Sequence, residues 1–216
     1  MWIFFPASGR RKNDTTKIPL YQGFIVEWDA VPLLEGTLNG RVTYGVQGNI
    51  QFNLKQTYFP VIEIGYGAAD KTLPNQDATR FMGKGLYEKI GIDFNLLKQK
   101  PDSKAYGNFF LAGLRLGTTH FKYDMTNLSV GDGNYWGDPQ AINVNSSTST
   151  KFWYEFVAGI RVDVYKGIMM GWNIRNKHLL GGVSTDGKIA PWYIPGYGKN
   201  TNSLWGFSYV IGYRFK

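Results

Sequence analysis

Residues 205–215, with the sequence Trp-Gly-Phe-Ser-Tyr-Val-Ile-Gly-Tyr-Arg-Phe, alternate between two kinds of side chain. Every second position is aromatic or apolar, and the positions between are Gly, Ser, Val or Arg. A period of two places the two sets on opposite faces of a β-strand. The aromatic face comprises Trp205, Phe207, Tyr209, Ile211, Tyr213 and Phe215. Such a strand suits the wall of a barrel that has an apolar environment on one side and small or polar groups on the other.

The same alternation recurs along the chain and predicts eight strands. Its clearest instance is 41–54, where Val42, Tyr44 and Val46 begin one face and Arg41 and Thr43 the other. That run is too long for an ordinary globular strand. The predicted strands are 21–29, 41–54, 58–67, 86–94, 110–117, 154–164, 168–177 and 205–215.

The composition permits membrane-spanning strands and excludes membrane-spanning helices. No apolar run approaches the roughly 20 residues that a spanning helix needs, and the mean hydropathy is -0.27. A barrel strand needs only about 9–11 residues with every second one apolar, so low mean hydropathy does not argue against a barrel. Aromatic residues form 16% of the chain and 27 of its 216 residues are Gly, as expected of aromatic girdles around a crowded interior.

The connections between the predicted strands alternate in length. Residues 55–56 and 166–167 are tight turns and 97–107 is moderate, whereas the connections between them are long. The long connections are 30–40, 68–81, 122–150 and 178–202. We therefore predict an all-β fold, an eight-stranded antiparallel up-and-down transmembrane β-barrel with long extracellular loops and short periplasmic turns, integral to the bacterial outer membrane. The alternative is a soluble calycin-like barrel, whose apolar side chains would point inward.

The inward-facing positions of the predicted barrel are charged, with acids and bases near balance. An eight-stranded barrel is only wide enough for side chains to fill its interior, so these groups predict a packed ionic network rather than an open pore. The set is Glu27, Asp29, Glu63, Lys89, Asp93, Arg115, Glu155, Arg161, Asp163, Arg175 and Arg214.

Motifs for catalysis, cofactors or metals are weak, and we expect a protein that is not an enzyme and has no cofactor. His178, or His120, with Ser203 or Ser208 would suit a lipid-modifying enzyme, but no nucleophile motif supports that chemistry. Asp132 and Asp138 match no standard calcium loop and predict an ordered turn. A barrel offers no element for a nucleic-acid groove, so no nucleic-acid partner is expected. A small passive pore is a third possibility.

Two groups of residues are candidate partner-binding sites. Lys84 and Glu88 share the lipid-facing side of their strand, where a charge near the midplane costs roughly 2–4 kcal/mol for Lys. A partner against that wall, a rim position, or a bulge that reverses the register would each explain them. Aromatic residues in the two longest loops either pack those loops together or anchor an extracellular partner. These residues are Tyr135, Trp136, Trp192, Tyr193 and Tyr197.

The two ends of the sequence carry further expectations. Residues 1–19 predict a solvated tail with a possible truncated signal region, and 20–216 a single barrel domain. The last strand resembles the closing strand and assembly signal of bacterial outer-membrane barrels. Lys216 follows Phe215, where the aromatic residue of that signal usually stands last. The predicted signal residues are Tyr209, Ile211, Tyr213 and Phe215.

Four segments together resemble a family of Bacteroidota outer-membrane proteins long classed as a domain of unknown function. They are 86–95, 153–162, 172–175 and 192–199, of which the Tyr-Ile-Pro-Gly-Tyr-Gly of the last is the most specific. The resemblance covers about residues 21–215. It implies an eight-stranded barrel bound to outer-membrane lipids that accompanies another outer-membrane barrel, of the β-barrel assembly machinery, and a surface lipoprotein. It implies no catalytic residue.

Overall fold

The computed structural model describes residues 19–38, 42–73, 79–97, 107–130, 140–183 and 189–215. Within these residues lie ten strands and one helix, and no helix is both long and apolar enough to cross a membrane. The elements are β1 (Tyr21–Asp29), α1 (Val31–Leu38), β2 (Thr43–Leu54), β3 (Tyr58–Thr72), β4 (Arg80–Asn95), β5 (Phe109–Val130), β6 (Gln140–Tyr165), β7 (Ile168–Leu180), β8 (Tyr193–Ile194), β9 (Gly198–Lys199) and β10 (Ser203–Phe215).

Eight of these strands form one closed antiparallel barrel, in the ring order β1-β10-β7-β6-β5-β4-β3-β2. Successive long strands are neighbours, and β1 closes the ring against β10. The predicted eight-stranded up-and-down barrel is thereby confirmed. The short β8 and β9 pair with each other as a separate hairpin.

The two ends of the barrel differ, but the connection lengths do not alternate throughout as predicted, because 13 residues separate β4 from β5 at the end with the tight turns and only 7 separate β3 from β4 at the other end. At one end, here the turn end, Lys55 and Gln56 have φ of 55° each, and Lys166 and Gly167 have φ of 45° and 92°. Positive φ at both central residues matches the twist of the flanking strands and is typical of tight hairpin turns. The opposite end, here the loop end, carries the connections after β1, β3, β5 and β7.

The predicted loop 122–150 is wrong in large part, because β5 continues to Val130 and β6 begins at Gln140. β3 and β4 also extend beyond their predicted ends at the loop end. On this part of β5 the alternation is reversed: Phe121, Tyr123 and Met125 are buried inside, while Lys122 on the other face is exposed. The exposed apolar side chains around the barrel, among them Leu114 and Leu116 on this strand, are here called the apolar belt. A strand that rises above the belt into water needs a polar outer face, so its pattern is the reverse of the belt's.

Helix α1 lies in a segment predicted as loop. Asp29 Oδ1 accepts a hydrogen bond from the N–H of Val31 at 3.1 Å, which satisfies one of the free amides at the helix start. Pro32 lies in the first turn, where its missing N–H costs nothing. In the sequence, Asp29 followed by Pro32 is the signal that could have predicted the start of this helix. Gly36 lies against β2, where an added Cβ would be 2.6 Å from Tyr44 Cβ.

The barrel interior is layered along its axis. At the turn end an apolar floor contains Ile25, Phe59, Phe109, Leu111 and Met169. Above it lies a layer of charged and amide side chains, and at the loop end an aromatic cluster. The outer face is apolar, with Ile62, Ile90 and Leu116 all about half exposed. This orientation excludes the soluble calycin-like alternative, which would place those side chains inside.

Candidate functional site

The centre of the barrel is filled by an ionic layer of six side chains from five strands, all buried. They are Glu63, Lys89, Asp93, Arg115, Glu155 and Arg175. Arg175 Nη1 lies 3.0 Å from Glu63 Oε2 and 2.9 Å from Glu155 Oε2, which joins β7 to β3 on the opposite wall. Lys89 Nζ lies 3.1 Å from Glu155 Oε1. Three carboxylates thus face three cations across the lumen.

Arg115 links Glu63 to Asp93, the third acid of this layer. Its Nε donates to Glu63 Oε1 at 3.0 Å, and its Nη1 and Nη2 donate to the two oxygens of Asp93 at 2.8 and 2.7 Å. Tyr87 and Lys89 both donate to Gln47 Oε1, at 3.0 and 3.2 Å. Parallel donors on a guanidinium fit a carboxylate well, and this fit offsets the desolvation of the buried charges.

A second buried ion pair lies beside the ionic layer. Arg161 on β6 binds Glu27 on β1 through two guanidinium nitrogens: Nε donates to Glu27 Oε1, and Nη2 donates to Oε2 at 2.9 Å. The amides of Asn49 and Gln51 each donate to the same oxygen at 3.1 Å. At the turn end Arg214 donates to Asp163. The predicted packed ionic network is therefore confirmed, and it fills the lumen.

The loop end is closed by residues 189–201, here called the cap, which carry the β8–β9 hairpin. Ile194 and Tyr197 are buried in the aromatic cluster, and Tyr197 meets Trp153 edge to face with ring centroids 6.0 Å apart. Gly196 has φ of 77°, and an added Cβ would lie 2.4 Å from the Tyr87 ring. Only glycine combines that backbone conformation with so close an approach.

Polar contacts fasten the cap to the wall. Lys177 Nζ on β7 donates to the carbonyls of Gly196 and Tyr197, at 3.0 Å each. Tyr123 Oη on β5 donates to the carbonyl of Ile189 at 2.5 Å. Sequence reasoning had not selected Lys177, although it continues the inward parity of Arg175.

The three aromatic residues predicted for partner binding in this loop belong to the cap. Tyr197 is 1% exposed and packs the cap into the barrel mouth, which is the loop-packing alternative for these aromatic residues. Burial raises the pKa of Tyr197, and burial with the nearby Glu35 carboxylate raises that of Tyr193. Trp192 and Tyr193 are partly buried, with Lys71 Nζ 4.9 Å from the Trp192 ring centroid. Tyr135 and Trp136 lie outside the described residues.

The wall of the barrel has a gap at the loop end, here called the notch. β1 ends at Asp29, opposite Val210 of β10 on one side and Gln47 of β2 on the other. Both neighbours continue beyond it, β10 to Ser203 and β2 to Thr43. A cavity of about 170 Å³ lies in this gap, with α1 along it. The cavity reaches inward as far as Lys89, Arg175 and Lys177.

Lys84 and Glu88 lie on the outer face of β4, and both are exposed. The pairing of β4 with β3 and β5 shows no shift in register along its length, so a bulge does not account for them. Lys84 lies opposite Lys122 of β5, and His120 of β5, next to them, is also exposed. These four residues, here called the polar patch, lie above the apolar belt at the loop end.

The residues considered for an enzyme are only partly brought together. Ser203 of β10 lies opposite His178 of β7. The His178 ring, however, contacts Asn176 Oδ1 through Nε2 and stacks on Tyr154, with ring centroids 5.0 Å apart. Ser208, the other serine considered, is buried inside the barrel opposite Asn173, and its Oγ accepts a hydrogen bond from Arg175 Nε at 3.2 Å.

The other predicted sites lie elsewhere. His120 Nδ1 is 2.7 Å from Thr150 Oγ1 on the barrel exterior, on another strand pair. In the part of the chain that the structure describes, no cluster of His, Cys, Asp or Glu suits a metal ion. Asp132 and Asp138 fall outside that part, as do residues 1–18 of the predicted tail. Tyr209, Ile211, Tyr213 and Phe215 face outward on β10, and their role as an assembly signal stays a prediction.

Comparison with known proteins gives one family and a distant structural likeness. The family described as "Domain of unknown function (DUF6048)" matches residues 3–215. A search of curated proteins finds no significant match. Among solved structures, the crystal structure of Neisserial surface protein A (NspA) is similar at 10% identity and a TM-score of 0.38, covering 90% of this chain and 99% of that one. A likeness at this level carries no information about activity or partners.

Proposed function

This chain belongs to the DUF6048 family, and from that premise we propose that it is a non-enzymatic, integral outer-membrane β-barrel that acts as a subunit of a larger envelope complex. The observation that carries the proposal is the filled lumen. An apolar floor, an ionic layer and the cap occupy the interior in succession. A barrel filled in this way offers its outer wall and its rim as working surfaces rather than a channel.

The apolar belt supports a membrane location. Outward residues around the ring are exposed hydrophobic side chains, among them Val26, Ile62, Leu114 and Trp172. An exposed apolar surface that surrounds a barrel with buried charges inside suits lipid outside and would be unstable in water. Closure of the ring pairs every long strand on both sides, except where β10 and β2 continue past the end of β1 at the loop end.

The polar patch supports a protein partner. Lys84 and Lys122 bring two positive charges together on the outer face without a bulge, and like charges opposite each other destabilise a strand pair. An acidic partner surface would offset that repulsion, whereas water above the apolar belt would only screen it. We propose that the partner is a second outer-membrane barrel with a surface lipoprotein, in a complex that assembles outer-membrane proteins or exports surface lipoproteins, as the Bacteroidota resemblance implies.

A gentle-detergent pull-down of the tagged protein from native membranes, with mass spectrometry of what co-purifies, tests this proposal. We expect stoichiometric recovery of another barrel and a lipoprotein, and loss of both in a Lys84→Glu/Lys122→Glu variant. Lys55→Glu is the matched control, because Lys55 is an exposed lysine at the turn end. Recovery of a lone monomer from wild type, or equal recovery from the patch variant, would contradict the proposal.

A lipid-modifying enzyme is the second candidate, favoured only by the position of Ser203 opposite His178. Its chemistry would need the His178 ring to leave Asn176 and accept the serine proton. A His178→Ala/Ser203→Ala variant with lipid profiling of the membrane distinguishes the two candidates. A changed lipid profile supports the enzyme, and an unchanged one supports the non-enzymatic subunit.

A further inference from the structure

The cavity at the notch lies along the unpaired edge of β10. Its lining includes Trp205 and Phe207 from the outer face of β10, and Gly206 and Ser208 from the inner face of the same strand. Trp205 is 70% exposed and Phe207 51% exposed, so the outer face of β10 beside the cavity is apolar. Consecutive residues of one strand line a single cavity where that strand has lost its neighbour, and β1 pairs with β10 only from Val210 onward.

The inner end of this cavity carries a cation, Lys177, that no described carboxylate contacts directly, although the buried Glu155 attracts it through space. Among the described residues, no carboxylate lies within ion-pair distance of Lys177, whose amine instead contacts two cap carbonyls. A Cβ added at Gly206 would lie 3.1 Å from Lys177 Cε and 3.7 Å from Nζ, so the amine lies directly behind the edge of β10. Lys89 and Arg175 also line the cavity, but they are paired with Glu63 and Glu155.

Two acids also line the cavity, and neither cancels this charge by direct contact. Asp29 accepts the hydrogen bond from Val31 at the start of α1. Glu35 is exposed on α1. The ammonium group of Lys177 is thus the charge still available to a ligand, and a carboxylate or phosphate is the group that a lysine donates to most strongly.

We propose that the notch binds the anionic headgroup of a membrane amphiphile, with a phosphate against Lys177 and acyl chains outside along Trp205 and Phe207. The cavity of about 170 Å³ is smaller than a typical drug-sized ligand site, which suits a headgroup and leaves no room for the chains. This inference rests on the proposed placement of the barrel in a membrane. It adds a lipid-binding site to the proposed subunit.

Native mass spectrometry of the full chain in dodecyl maltoside micelles tests the site with three probes. They are phosphatidylglycerol, diacylglycerol with the same chains, and glycerol phosphate. We expect phosphatidylglycerol to be retained at least about tenfold better than either of the others, because a hydrogen bond to a charged group and the apolar contacts act together. Equal retention of diacylglycerol, or of glycerol phosphate, would overturn the proposal, the latter by indicating a site for free anions.

Two variants and one control locate the binding. Lys177→Met removes the charge, and Gly206→Val fills the inner side of the notch, so each is expected to lower phosphatidylglycerol retention about tenfold. Lys151→Met is the control, because Lys151 also donates to a loop carbonyl, that of Gly182, but does not line the cavity. Unchanged retention in both variants, or equal loss in the control, would refute the site.

The membrane placement is measured separately. Folding of each variant into phosphatidylcholine vesicles, followed by the heat-dependent gel mobility of a closed barrel, reports on insertion without an anionic lipid. Failure of wild type to insert would refute the proposed function, whereas insertion without selective retention of phosphatidylglycerol would refute only the notch.

Discussion

Glu63 accepts hydrogen bonds from two guanidinium groups and lies 3.6 Å from the amine of Lys89. Its side chain is 1% exposed, so water does not replace a lost partner. Asp70 and Arg80 form an exposed ion pair at the loop end, in which Arg80 Nη2 lies 2.7 Å from Asp70 Oδ2. Glu63 is buried among three cations, whereas Asp70 is exposed and has one, so Asp70 serves as the exposed control.

Replacing Glu63 with Gln should destabilise the barrel by about 3–5 kcal/mol, because three buried cations lose a shared counter-charge. Asp70→Asn should leave the unfolding midpoint unchanged within error, because water and salt screen an exposed pair. Urea unfolding in lipid vesicles, followed by tryptophan fluorescence, measures both. Similar losses of unfolding free energy in the two variants would mean that burial does not determine how much the ionic layer stabilises the barrel.

The hydrogen bond from Arg80 holds the pKa of Asp70 below its usual range. Because the folded pKa is lowered, the small stabilisation is present at neutral pH and is lost as pH falls through that lowered pKa. Carboxyl NMR titration should show the pKa of Asp70 rising in Arg80→Ala. No change in that variant would show that the pair does not persist in solution.

At the scale of elements, the cap and the ionic layer close the lumen at two different levels along the barrel axis. The cap depends on Gly196 and on the two carbonyls bound by Lys177, whereas the ionic layer joins strands below it. Displacement of the cap alone should therefore not produce a conducting pore.

Gly196→Ala should raise hydrogen exchange across residues 189–201 without measurable conductance in planar bilayers. The methyl group would meet the Tyr87 ring at 2.4 Å. Gly181→Ala is the control, because Gly181 has the same φ of 77° with nothing within 4 Å of an added Cβ. An equal rise in exchange in the control would attribute the effect to backbone strain, and conductance would show that the ionic layer is no barrier.

The sequence specified some elements better than others, for physical reasons. In strands with lipid outside and charges inside, apolar and polar side chains alternate clearly. The strand 205–215 and the inward orientation of Glu63 and Arg175 could therefore be predicted. The upper part of β5 could not, because water on its outer face reverses the polarity of the pattern. The notch exists because β2 and β10 extend beyond the end of β1. The sequence pattern of one strand does not show how long its neighbours are, so the notch could not be predicted.

At the scale of the whole molecule, the apolar belt should show its depth in a substitution series. Leu114→Arg on the outer face of β5 should destabilise the folded barrel in vesicles by roughly 2–4 kcal/mol, as expected near the bilayer midplane. Thr118→Arg, on the same face and nearer the polar patch, should cost less, because the side chain reaches the interface. Equal costs, measured by urea titration, would place the belt elsewhere.

The ionic layer also bears on when the barrel can form. Arg161 and Glu27 are 134 residues apart in sequence, and Arg175 and Glu63 are 112 apart. None of these partners can meet while the sheet is still open, so a half-inserted sheet would carry bare charges into hydrocarbon. Curling and insertion must then proceed together, and folding should be slow, concerted and dependent on late contacts between the two halves of the chain.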